Sequence, residues 1–126
     1  MFSGPNTAAM NHPVPTGIIL HRASHVLEVA FDDGTSYRLP AEYLRVHSPS
    51  AEVQGHGPGQ KVLVAGKRDI NIDAVEPVGH YAVLLRFSDG HASGLFSWSV
   101  LHSLGRDHAR NWQAYLDALA ANGLSR

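Results

Sequence analysis

The chain of 126 residues contains no cysteine. Disulfides, thiolate metal sites and cysteine nucleophiles are therefore excluded. Charge of one sign is also missing: 10 Lys plus Arg stand against 11 Asp plus Glu. No general field draws the chain to nucleic acid or to an anionic membrane. The opening MFSGPNTAAMNHPVP has neither the basic start nor the apolar run of an export signal. No stretch approaches the ~18 consecutive apolar residues that cross a bilayer. What is present suits a globular protein: 44% of residues are hydrophobic, and the length fits one domain with a true core. The expectation is a soluble cytoplasmic domain that binds neither nucleic acid nor membrane.

Residues 1–15 are poor in large apolar groups and rich in Pro, Gly, Asn and Ala, which predicts a flexible tail before a single domain at 16–126. GIILH (17–21) is a short β-branched run. HVLEVAF (25–31) alternates, with Leu27, Val29 and Phe31 on one face and Val26 and Glu28 on the other. DDG (32–34) supplies a tight hairpin turn, and TSYRL (35–39) returns antiparallel. Pro40 fits the first position of a short helix in PAEYLRV. SPSAEVQGHGPGQ (48–60) is a loop, long for a small domain. KVLVA (61–65), INIDAVEPVG (70–79) and YAVLLRF (81–87) read as strands. SDG (88–90) is a second hairpin turn, with HASGLFS (91–97) returning from it. SWSVLHSLG (97–105) reads as a short helix closed by Gly105. In DHARNWQAYLDALAANG (107–123), Trp112, Tyr115, Leu116 and Leu119 form one apolar helical stripe. Asp107 can cap its start and Gly123 its end.

FDDG (31–34) and FSDG (87–90) lie 56 residues apart, each between an apolar strand and a shorter return strand, each followed by a short helix. Either common hairpin turns recur by coincidence, or the chain holds two copies of one unit. A single such unit cannot bury its apolar face, so two packed together account for the size. The fold class expected is α+β: an antiparallel, β-rich domain built from two hairpin–short-helix units, with a C-terminal helix packed on the sheet.

Catalytic motifs are absent. The serines near histidines include no GxSxG elbow, and SPS and FSWS read as turn and capping serines. Asp32 and Asp33 sit on an exposed hairpin tip. GHGPGQK and AGKRD combine glycines with basic residues but lack the phosphate-loop spacing. Lys67 and Arg68, with Arg45, are candidate contacts for an anion or an acidic protein partner; the competing reading is charge that keeps a loop soluble.

RLPAEYLRVHSPSAEVQGHGPGQ, GKRDINIDAVEPVGHYAVLLRFSDGH and SGLFSWSVLHSLG resemble the bacterial domain family called gamma-butyrobetaine hydroxylase-like, N-terminal. The likeness runs from about Thr16 to the C-terminus. In the hydroxylases the similar domain precedes the catalytic iron- and 2-oxoglutarate-dependent domain, binds a structural zinc and does no chemistry. A similar domain also occurs beside P-loop carriers of iron–sulfur clusters. The resemblance implies an accessory module that engages another protein. The hydroxylase zinc ligands are three cysteines and one histidine, and their positions look like Ser48, Ser50, Val53 and His91. Serine stays protonated near neutrality and valine donates nothing, so that zinc set is lost.

Nine histidines still admit a metal reading. If the loop folds back on the second hairpin as the resemblance suggests, His47, His56 and His91 converge, Glu52 adds a carboxylate, and the set suits zinc or iron. No tight ligand motif supports this, and solvated loop histidines are the alternative. The leading expectation is a non-catalytic accessory or protein-interaction module without a cofactor. A zinc- or iron-binding domain is the alternative.

Overall fold

Two Asp-Gly turns organise the molecule, whose computed structural model describes residues 13–48, 63–91 and 94–126. In the first, Gly34 takes φ 88°, its N–H donates to the Phe31 carbonyl, and the Asp33 carboxylate accepts the Thr35 N–H at 3.0 Å. In the second, Gly90 takes φ 89°, its N–H donates to the Phe87 carbonyl, and the Asp89 carboxylate accepts the His91 N–H at 3.0 Å. A side chain would be strained at either glycine, which is why both turns carry one.

Around the first turn, β1 (Pro15–His21), β2 (Val26–Phe31) and β3 (Ser36–Pro40) form an antiparallel sheet in that order, leading into α1 (Ala41–Val46). Around the second, β4 (Ile72–Val78), β5 (Ala82–Phe87) and β6 (Gly94–Ser97) do the same and lead into α2 (Trp98–Arg106). The start of each helix is hung in the same way. Ala41 N–H donates to the His25 carbonyl and Trp98 N–H to the Tyr81 carbonyl, both at 2.8 Å. The recurrence is a duplication in three dimensions, with corresponding residues shifted by 56 or 57 positions. A third helix, α3 (His108–Ala121), completes the expected α+β arrangement.

Register decides which residues meet. Leu20, Leu27 and Leu39 lie in one row across the first sheet, and Ile18, Val29 and Tyr37 in the next. In the second sheet the inner rows are Pro77, Val83 and Phe96, then Val75, Leu85 and Gly94. Both inner faces share one core with Leu44 of α1 and Leu101 of α2. Tyr43 is fully buried there; its hydroxyl donates to the Leu104 carbonyl at 2.7 Å and accepts from Asn111. The bond matters because a buried phenol without a partner is costly.

The two units grip each other reciprocally. Asp33 accepts from His102 Nε2 on α2 at 2.8 Å, while Asp89 accepts from Arg45 Nε on α1 at 2.9 Å. Arg45 and His102 occupy corresponding helix positions. Tyr37 of β3 lies so close over α2 that a Cβ at Gly105 would stand 2.3 Å from its ring. Correspondingly, Gly94 of β6 lies against Ser48 beyond α1, where a Cβ would stand 3.0 Å from the serine Oγ.

Three expectations change. Gly105 does not close α2, which runs to Arg106; the glycine is there because Tyr37 needs the space. KVLVA is not a strand over Leu63–Ala65: Val64 is buried beside Tyr115, whose hydroxyl takes the Val64 carbonyl at 2.6 Å. Lys61 and Val62 lie outside the described residues. Asp107 precedes α3 but makes no side-chain capping bond; its carboxylate pairs with Arg106 and Arg110, each at 3.1 Å. The other end of α3 is as expected. Gly123 takes φ 69°, and Leu124 N–H returns to the Leu119 carbonyl at 2.8 Å. Tyr115 and Leu119 of the stripe pack against Val46 and Val64, and Trp112 joins them to the main core. Among the described residues no helix is long and apolar enough to cross a membrane.

Candidate functional site

The second hairpin turn, the end of α1 and the GKRD segment meet at one corner. Arg45 is 3% exposed on α1, where its Nε donates to Asp89. Lys67 Nζ donates to the same oxygen at 2.6 Å. Partial burial pushes the Asp89 carboxyl up, but hydrogen bonds from Lys67, the His91 N–H and Arg45 outweigh it and hold it at about 2. Beside this cluster, Ser48 is fully buried and its Oγ is hydrogen-bonded to His91 Nε2 at 3.3 Å.

The residues proposed from sequence divide accordingly. Arg45 and Lys67 converge, on a carboxylate of the chain itself; Arg68 is exposed. His91 meets Ser48, so two of the four positions that the resemblance pointed to are adjacent. His47 points elsewhere: its Nδ1 donates to the Tyr43 carbonyl at 2.9 Å, and its ring packs 4.7 Å from that of Tyr43. His56, Glu52, Ser50 and Val53 lie outside the described residues, as does most of the loop at 48–60. Among the described residues no three His, Asp or Glu side chains are placed to hold a metal ion.

A zinc site of the hydroxylase kind does not fit this donor set. The Ser48 hydroxyl is an alcohol, not a thiolate, and it occupies the His91 nitrogen in a hydrogen bond. A serine–histidine pair suggests nucleophilic chemistry, but Ser48 is fully buried, which does not favour a nucleophile. Of the serines in FSWS, Ser97 acts as expected: its Oγ caps α2 by accepting the Val100 N–H at 3.2 Å. Adding Zn²⁺ or Fe²⁺ to protein purified without a polyhistidine tag is expected to leave the melting temperature unchanged within about 1 °C. A saturable rise of several degrees would show a site that does assemble, since a ligand bound only to the native state raises stability.

A second feature was not foreseen. Among the described residues β1 and β4 each pair with one neighbour only, so both are edge strands there. Between them runs an open groove of about 640 Å³ lined by Ile18, Leu20, Val75, Pro77, Val83 and Trp98. The strands were legible in the sequence, but not that the two edges would face each other. Arg22, just beyond β1, pairs with Asp73 of β4 at 3.2 Å where the edges approach at one end. Two polar side chains at the groove are already engaged: Thr16 Oγ1 donates to the Ala30 carbonyl and Trp98 Nε1 to the His80 carbonyl.

No curated protein matches this chain. Two solved structures, each an NMR solution structure, are 49% and 48% identical to it, both with a TM-score of 0.80. They cover 92% and 97% of this chain, which in turn spans 91% of each of them. A crystal structure from Acidithiobacillus ferrooxidans is 42% identical with a TM-score of 0.61, covering 72% of this chain and 91% of its own. That protein is described as one of unknown function in the DUF971 family. The family described as gamma-butyrobetaine hydroxylase-like, N-terminal, matches residues 18–102, from β1 into α2. The chain belongs to this gamma-butyrobetaine hydroxylase-like N-terminal domain family.

Proposed function

We propose that this domain is a non-catalytic accessory module that docks on another protein, an enzyme or a metallocentre-assembly protein, and that the groove between β1 and β4 receives it. The groove is the observation that carries the reading. Its walls are apolar and its polar side chains are engaged within the chain, which suits gripping a partner segment rather than turning over a substrate. Each wall is also a strand edge, so an extended segment laid in the groove gains main-chain hydrogen bonds as well as apolar contact. The Arg45–Lys67–Asp89 cluster supports a structural use of those cations, since a surface carboxylate of a partner would compete with Asp89.

The test is affinity capture from the native cell with the wild-type chain and with a Thr16→Arg/Pro77→Arg variant. Both positions are exposed, so the charges enter the groove without entering the core. One polypeptide should be recovered in near-equal molar amount by the wild type and lost with the variant, while circular dichroism is unchanged. Recovery of nothing above a blank resin, or equal recovery by both chains, would remove the reading.

A further inference from the structure

The duplication provides an internal control for the two outer sheet faces. On the first sheet, Glu28 faces Arg38 across β2 and β3. Glu28 accepts from Arg38 at 3.2 Å and from His21 of β1 at 2.8 Å, so that face carries a charged network. The corresponding positions of the second sheet are Leu84, Leu95 and Val78. Leu84 faces Leu95 as Glu28 faces Arg38. Leu95 is 47% exposed and Val78 is 43% exposed. The same architecture therefore accommodates a soluble charged solution at these positions, and the second unit does without it. Packing among the described residues does not account for the exposed Leu95 and Val78, and such apolar exposure points to a contact surface.

The same face identifies the occupant. Beside Leu84 lie Glu76 and Arg86, an exposed carboxylate and guanidinium already paired with each other. A patch holding both signs side by side is complementary to itself, which is the condition for a twofold interface in which one surface meets its own copy. From the register, a twofold axis running between Glu76 and Arg86 sets each against the opposite charge of the facing copy. The same axis passes close to Leu84 and Leu95, so these side chains meet their own counterparts. We infer that the outer face of β4–β5–β6 is a homodimer interface, formed by a second copy of this chain packed sheet to sheet. Three apolar side chains and two ion pairs make a small contact, below the usual size of a stable interface. The dimer is accordingly a weak one, populated only at high protein concentration. The surface is distinct from the groove between β1 and β4, so this inference stands or falls without the accessory-module reading.

Sedimentation equilibrium of the full chain from about 10 µM to 1 mM should show the average mass rising from the 13.6 kDa monomer towards the dimer. In a Val78→His/Leu95→Arg variant, which installs the first unit's own residues at exposed positions, dimerisation should weaken at least tenfold with the melting curve preserved. The charge test is more specific. Glu76→Arg gives an all-basic face and Arg86→Glu an all-acidic one, so each alone should stay monomeric. Mixed in equal amounts they should associate more tightly than the wild type. A wild type that is monomeric at 1 mM overturns the inference, as does a mixture that associates no better than either single variant.

Discussion

Asp89→Ala is expected to destabilise the protein by about 3–5 kcal/mol, because it strips a buried guanidinium of the carboxylate it faces. Arg45 dominates that cost, at 3% exposure. Lys67 binds the same oxygen at 2.6 Å but has 23% exposure, so Lys67→Ala should cost no more than about 1 kcal/mol. Denaturant unfolding of the two variants separates them; equal losses would mean the cluster is held mainly by its surface cation. The pair also dictates acid behaviour. The Asp89 carboxyl sits at about 2 in the folded chain against an ordinary 3.8. Its contribution is therefore complete above about pH 4 and is lost as pH falls towards and below about 2, on the order of 2 kcal/mol in all. Asp33, held at about 2 chiefly by hydrogen bonds from Thr35, loses its interactions over the same window. Asp89→Asn should flatten this acid limb, and an unchanged limb would sink the assignment.

Gly105→Ala is expected to destabilise by about 3 kcal/mol, although alanine is the better helix former by roughly 1 kcal/mol. The reason is steric. The new Cβ would stand 2.3 Å from Tyr37 Cγ and 2.4 Å from Cδ2, and a ring cannot yield there as the tip of a flexible side chain would. Tyr37 is itself in edge contact with Phe31 and His102, which limits its escape. Trimming the ring in a Tyr37→Ala background should recover much of the loss, a coupling that a double-mutant cycle measures directly. If Gly105→Ala melts with the wild type, α2 and β3 are not packed as described.

These two positions show how far the sequence can be read. The turns at FDDG and FSDG, the alternation of HVLEVAF and the stripe through Trp112, Tyr115 and Leu119 are local signals, and the corresponding elements form. Gly105 carries the same letter as a helix stop, but its cause is a ring 68 positions earlier in the chain. KVLVA has the composition of a strand, but the Tyr115 hydroxyl takes up the Val64 carbonyl, and that partner too is distant in sequence. The corner was half legible. Ser48 and His91 were paired through resemblance, and the structure places them 3.3 Å apart. That Asp89 answers Arg45 and Lys67 from within was not legible, because the contacts join residues 44 and 22 positions apart in the chain. The aspartate uses one oxygen for the turn and the other for the cations.

The crossed pairing of turns and helices sets the cooperativity of the molecule. Unravelling α1 removes the partner of Asp89 and the neighbour of Gly94, both in the second unit, while unravelling α2 removes the partner of Asp33 and the seat of Tyr37 in the first. Damage on either side is therefore transmitted to the other, and a state with one repeat intact and the other melted has little to hold it. Two units of like architecture thus behave as a single folding unit.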